Sequence, residues 1–307
     1  MAANYWDSTQ RHNWQFTKHQ LDHLRTELKD KEPNLARLFP LPEIRYLSIY
    51  FNQQIARLGK RLGVRQQAMA TAQLYIRRFY TKVEIRNTNP YLVIATAMYL
   101  ACKMEECPHH IRLVVSESRT LWPEYCSNDI SKLGECEFFL ISVMSSQMIV
   151  HHPYRSLTSI QGQLSLTQVE STLAWSIIND HYMTDLPLLY PPHTIALMAI
   201  LLALVFRPNN NNLLPVSMST SGITTAAHNA LNTATQTRHT SDSHSGTPRN
   251  KLQRLTCWLA ESNIDTDLLI DCTQEIISFY ESQEQYNEKL TREQINRFVK
   301  ARGLDFT

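Results

Sequence analysis

Two stretches of this chain carry no charge on any face a helix could present. Residues 91–101 read YLVIATAMYLA and residues 195–206 read IALMAILLALVF. A helix that is apolar all round is stable only inside a bundle. Proline opens each one, Pro90 in the first and Pro191-Pro192 in the second, because its missing N–H has no helical partner in the first turn anyway. At an offset of 102 residues Tyr80 falls on Tyr182, Pro90 on Pro192, Ala97 on Ala199 and Ala101 on Ala203. A tyrosine, a proline ten residues on and a buried helix therefore occur twice. A duplicated helical unit of about a hundred residues is the simplest account.

The rest of the chain agrees with an all-α fold. It has only seven glycines in 307 residues, which favours helices with short turns and disfavours glycine-rich phosphate loops. Helical periodicity predicts an amphipathic helix within residues 8–30 through Trp14, Lys18, Leu21, Leu24 and Leu28. A second helix is expected from Pro42 to Gly59, with Ile44, Leu47, Phe51, Ile55 and Leu58 inward. Further helices are expected over about 65–82 and 128–144, and after the capping box Thr167-x-x-Glu170. Residues 208–250 break the pattern with fourteen Ser or Thr and the run Asn209 to Asn212. A segment so poor in large apolar side chains cannot offset its ordering entropy, so a disordered insert within the second repeat is expected. The implied organisation is an N-terminal helical extension (1–40), a first unit (41–147), a second unit (148–284) and a charged tail (285–307) containing EKLTREQINRFVKAR as a solvated helix.

Composition excludes several functions. The formal net charge is +2, too balanced for nucleic acid as the main partner. The longest apolar run, twelve residues, falls short of the ~20 that span a membrane, and no signal-peptide pattern is found at the N-terminus. None of the six cysteines forms a CxxC pair, so they read as core thiols in an intracellular chain, not as disulfides or metal ligands. No DDxxD, HExxH or phosphate loop is present, so neither cofactor nor metal nor catalytic residue is expected.

Against this background, YLVIATAMYLACKMEEC places Lys103, Glu105 and Glu106 at the end of the first uncharged helix. The duplication supplies an internal control: the counterpart of Lys103 is Val205. The fold thus does not require a cation at this point, and lysine is seldom buried unpaired. A functional role for the charge follows, with Lys103 dispensable for folding.

LACKMEE resembles the LASKxEE signature of a cyclin's first box, and the two repeats then read as two cyclin boxes. Three further stretches, ANYWDSTQRHNW, ECEFFLISVMSSQMIVHHPYR and AWSIINDHYMTDLPLLYPP, are similar to the cyclin C branch, the cyclin of the Mediator kinase module. The resemblance covers nearly all of the chain outside the 208–250 insert and the far C-terminal tail. It implies that Lys103 and Glu137 grip a cyclin-dependent kinase, that Glu105 and Glu106 add negative charge on the same rim, and that Trp6 and Trp14 belong to an N-terminal helix touching the kinase. It further implies nuclear action within Mediator, with RNA polymerase II transcription both activated and repressed, through the kinase and the other Mediator subunits, with no direct DNA or membrane contact. EIRYLSIY stands where cell-cycle cyclins carry an MRAIL-type patch, so docking of RxL peptides is not expected. Thr247-Pro248 has the pattern of a phosphorylation acceptor. The competing reading is a DNA-binding general transcription factor built from similar repeats. That would need a basic face and usually a zinc ribbon.

Overall fold

The computed structural model describes residues 4–206 and 248–304. Among the described residues there are helices and no strand, and no helix is long and apolar enough to cross a membrane. The expected insert lies outside the described residues, as does Thr247, apart from residues 248–250, which already belong to a helix.

In chain order the α-helices are α1 (Thr9–Asn13), α2 (Lys18–Lys31), α3 (Pro33–Leu38), α4 (Ile44–Leu62), α5 (Gln66–Tyr80), α6 (Pro90–Met104), α7 (Ile111–Leu121) and α8 (Ile130–Val143). Then come α9 (Pro153–Gln161), α10 (Gln168–His181), α11 (Leu186–Leu189), α12 (Pro192–Val205), α13 (Pro248–Glu261), α14 (Thr266–Glu284) and α15 (Glu288–Ala301). They form two compact units. The first comprises residues 1–151, 182–189 and 286–307; the second comprises 152–181 and 190–285.

Each unit is built round one uncharged helix. In the first, α6 packs against α4, α5, α7 and α8. Pro90 takes its first position, and the Asn89 side chain accepts from the backbone N–H of Tyr91 and Leu92, satisfying donors the helix itself leaves open. In the second, α12 starts at Pro192 and packs against α9, α10, α13 and α14. The duplication read from Pro90 and Pro192 is thus repeated in the packing order. The Thr167–Glu170 capping box forms, with the Thr167 N–H donating to Glu170 Oε2 at 2.7 Å, and Lys251 of α13 reaches the same carboxylate at 2.9 Å.

Three expectations need correction. The helix expected within 8–30 is two, α1 and α2, broken at Trp14 to Thr17. Thr17 forms a capping box with Gln20, and the Phe16 N–H donates to the Leu188 carbonyl at 2.8 Å. Hydrophobic spacing hid that break. Gly59 does not end α4; Gly63 does, at φ 65°, the left-handed region where glycine meets no Cβ penalty. Gly59 instead lets α5 come close: a Cβ there would lie 2.4 Å from Met69 Sδ.

The third correction concerns the charged tail, which is not a solvated helix. In α15 Thr291, Ile295, Phe298 and Val299 are buried, a spacing of four, three and one that makes a single apolar face. The helix lies on α4. The Tyr91 hydroxyl donates to Asn296 Oδ1 at 2.6 Å, Tyr286 donates to Gln53 Oε1 at 3.1 Å, and Arg57 pairs with Glu288 at 2.8 Å. Charge density had concealed this face.

Asp185, just before α11, ties other parts of the first unit together. Arg25 of α2 grips its carboxylate at 2.7 and 2.8 Å, and Arg77 of α5 reaches it at 2.9 Å. Arg77 also donates to the Tyr182 carbonyl at 2.8 Å. Burial alone would raise the Asp185 pKa, yet the hydrogen bond from Arg25 and the fields of Arg77, Arg25 and Arg45 hold it below the usual aspartate value.

The buried face of α15 sets an expectation for stability. Phe298→Ala should cost about 3–5 kcal/mol, as for other buried phenylalanines, whereas Arg297→Ala, on the exposed side, should stay within about 0.5 kcal/mol. Urea denaturation of the full chain measures both, and equal effects would refute the packed-helix account.

Candidate functional site

Lys103 lies in the last turn of α6, and the protein's interior ends there. Its ammonium meets the carboxylate of Glu137, which α8 projects inward between Leu133 and Leu140. The two residues singled out from the sequence are therefore partners of each other. The lysine side chain is 39% exposed and the glutamate only 12%. Lys103 Nζ also stands 4.5 Å from the centre of the Tyr99 ring, one turn earlier, where the ring face attracts a cation. The lysine is thus held at the surface, with part of its donor capacity facing outward. Lys103 is not free of a structural duty, as the comparison with Val205 had suggested; it neutralises Glu137.

The two following carboxylates behave differently from each other. Glu105 is half-buried and takes hydrogen bonds from Gln67 Nε2 and Thr71 Oγ1, both at 2.6 Å. It ties the end of α6 to α5. Glu106 is exposed and adopts φ 53°, a conformation that costs a non-glycine residue on the order of 1–2 kcal/mol. The turn persists because the Cys107 N–H donates to the Cys102 carbonyl at 2.9 Å and the Glu106 N–H to that of Lys103 at 3.3 Å. Of the two acids only Glu106 presents its charge openly.

Three large apolar side chains lie exposed on the same two helices: Met104 on α6, and Phe138 and Phe139 on α8. Phe138 is 76% exposed. Phe139 packs edge-on against buried Phe79, ring centres 5.5 Å apart. Sequence reasoning passed over both phenylalanines. Their signal was available, since Leu133, Cys136, Leu140 and Val143 define the inner face of α8 and positions 138 and 139 fall off it. Two adjacent phenylalanines on the outer side of a helix mark a surface that gains by being covered.

The N-terminal tryptophans part company. Trp14 is 1% exposed. Its indole N–H donates to Gln147 Oε1 at 2.7 Å, and Arg78 and Lys82 approach its ring to 5.1 and 4.6 Å. It is a core residue of the first unit, so the expectation that it meets a partner is corrected: its surface is already used. Arg78 beside it is fully buried, and burial lowers its pKa to about 10. Trp6 is 51% exposed, flanked by Tyr5 at 5.5 Å and by the Arg11 guanidinium at 5.1 Å. Gln10 fixes this segment by pairing both amide atoms with the His151 backbone, at 3.2 and 2.7 Å.

The site has the parts of a docking surface: a clamped ion pair, an apolar rim and an exposed acid. Among the described residues no group of three His, Cys, Asp or Glu could hold a metal ion.

Comparison with known proteins places this geometry in context. Residues 23–148 match the family described as "Cyclin, N-terminal domain". The RNA polymerase II holoenzyme cyclin-like subunit of Neurospora crassa is 56% identical, over 99% of this chain and 100% of that protein. The protein of the same name from Aspergillus fumigatus is 56% identical over the same shares. Among solved structures, a chain of the CAK complex of Chaetomium thermophilum bound to ATP-gamma-S superposes with a TM-score of 0.62 at 20% identity, covering 96% of this chain and 86% of that one. A chain of the yeast TFIIK complex gives 0.54 at 20% identity, over 73% and 97%.

The ion pair is testable in isolation. Lys103→Met leaves Glu137 largely buried without its cation and should cost about 1–2 kcal/mol, since an orphaned charge is costlier than a lost pair. Adding Glu137→Gln should recover most of that loss. A double-mutant cycle by urea denaturation reads the coupling, and simple additivity would show that the pair contributes nothing.

Proposed function

The chain belongs to the RNA polymerase II holoenzyme cyclin-like subunits, and from that premise we propose that it binds and activates the cyclin-dependent kinase of the Mediator kinase module in the nucleus, so regulating transcription both positively and negatively. The observation that carries the proposal is the Lys103–Glu137 pair on α6 and α8, rimmed by Met104, Phe138 and Phe139.

The physical role of each part follows. Phe138 and Phe139 supply apolar area, at roughly 25 cal/mol per Å² removed from water. Lys103 retains donors for carbonyl groups of the kinase, and the pairing with Glu137 fixes its direction. Glu106, at the tip of the turn, offers a carboxylate to arginines of the kinase activation segment. Trp6 extends the surface at the N-terminus. Docking would hold the regulatory C-helix of the kinase so that its glutamate meets the ATP-binding lysine. The cyclin subunit thereby completes an active site to which it gives no catalytic residue.

Phe138→Asp tests this directly. The residue is largely exposed, so the thermal midpoint should be unchanged, while affinity for the kinase falls at least about a hundredfold, as for a central interface aromatic. Titration calorimetry against the purified kinase gives the affinity, and a phosphotransfer assay should show no activity from the cyclin-like chain alone. Wild-type affinity in Phe138→Asp would place the kinase elsewhere. Recovery of the chain from nuclear extract with a kinase but without Mediator subunits would reject the assignment to the module.

A further inference from the structure

Helix α6 ends in a Schellman motif. The Cys107 N–H donates to the Cys102 carbonyl at 2.9 Å, the Glu106 N–H donates to the Lys103 carbonyl at 3.3 Å, and Glu106 takes the left-handed φ of 53°. Such a cap folds the residue after the turn back onto the one that begins it, and the two side chains usually meet in an apolar contact. Here both members of that pair are cysteines. Pro108 follows and confines Cys107 to extended backbone, which fixes the return of the chain. A helix cap thus brings together two thiols that no CxxC spacing announces.

The two thiols are hydrogen-bonded to each other, and their surroundings differ. Cys102 is fully buried in the core of the first unit, and Cys107 packs against that core half-buried. Burial first, and then the neighbouring Cys107, raises the Cys102 pKa to about 12. The inner thiol therefore stays protonated, and the outer one is the sulfur that a solute reaches. An accessible thiol in contact with a second, sheltered one is the arrangement in which a first oxidation is resolved as a disulfide. Between the two lie Lys103, Met104, Glu105 and Glu106, the turn that forms part of the rim.

We propose that Cys102 and Cys107 are a redox modification site, at which hydrogen peroxide converts the two thiols to a disulfide spanning the Lys103–Glu106 turn. The Cys107 sulfur gives up its proton and attacks one peroxide oxygen. The O–O bond breaks, a sulfenic acid forms on Cys107, and the other oxygen leaves as water. The Cys102 sulfur then attacks the Cys107 sulfur: the S–S bond forms, the S–O bond breaks, and the departing hydroxide takes the Cys102 proton as a second water. Two thiols are oxidised, peroxide is reduced to two waters, and a thiol reductant reverses the change. The closed ring restricts the turn and holds Glu106 at its left-handed φ. The bearing of the site on the kinase rests on the function proposed above: a kinase docked on the rim covers the turn and shields the pair.

The test treats the folded full chain with hydrogen peroxide, caps the remaining thiols with N-ethylmaleimide, and digests the denatured product with trypsin without reduction. Trypsin cuts after Lys103 and so parts the two cysteines into peptides 87–103 and 104–112. Mass spectrometry should find these two peptides joined, two hydrogens lighter than their sum, and dithiothreitol should release them. Cys107→Ser and Cys102→Ala should each abolish the joined species; circular dichroism checks their folding, and the wild-type result decides without them. In the oxidised chain, amide hydrogen exchange over residues 103–107 should slow at least about tenfold, because the ring suppresses local opening of the turn. Recovery of Cys102 and Cys107 both capped, at a peroxide dose that oxidises the exposed Cys257, would overturn the proposal. So would pairing of either with a different cysteine, or unchanged exchange in the oxidised chain. Purified kinase should slow formation of the joined species. If the pair closes equally fast with kinase bound, the redox site stands and the placement of the kinase on this rim fails.

Discussion

A helix with no polar face has to be surrounded, and most of this architecture follows from surrounding α6. Eleven of its fifteen residues are buried, which takes neighbours on every side: α4, α5, α7 and α8. Such a helix can carry a charge only at its ends, where the bundle stops. Lys103 stands at that boundary, and its counter-charge has to come from another wall of the bundle, since α6 offers none. Glu137 of α8 meets that need. The ion pair is thus a product of the same packing that hides the rest of the helix.

Its energetics also suit a docking surface. A carboxylate that is mostly buried fixes the lysine more firmly than an exposed one could, because the local dielectric is lower and the competing water is fewer. The lysine is left partly in solvent, oriented before any partner arrives. Ordering it in advance removes part of the entropy that an interface would otherwise lose on forming. The left-handed turn at Glu106 acts in the same direction, because hydrogen bonds to Lys103 and Cys102 hold the acid at one point of the rim.

How far the sequence could be read depended on the kind of signal. Periodicity and the paired prolines gave the central helix of each unit, since both arise from local geometry. LACKMEE pointed to Lys103, and the structure pairs that residue with Glu137. What stayed hidden was tertiary. Trp14 sat on a continuous apolar spacing, but Thr17 capped a new helix and turned the indole into the core. Gly59 looked like a stop, yet its lack of a side chain served the approach of Met69, and Gly63 had the required positive φ. The acids and bases of α15 outnumber its apolar residues, so composition suggested solvent, while the placement of Ile295 and Phe298 decided otherwise. Phe138 and Phe139 were passed over, although the inner face set by Leu133, Cys136, Leu140 and Val143 already left them off it.

The position of α15 has a consequence for how the molecule is made. The core of the first unit includes Ile295, Phe298 and Val299, which leave the ribosome after the whole of the second unit. The intervening stretch of chain takes on the order of 10 s to synthesise at ~5–20 residues per second. During that interval the face of α4 that α15 will cover is exposed, and the Tyr91 hydroxyl lacks Asn296. The first unit can therefore be completed only after the second has been synthesised. Chains stalled before residue 286 should therefore be cut by protease at sites that the released protein shields.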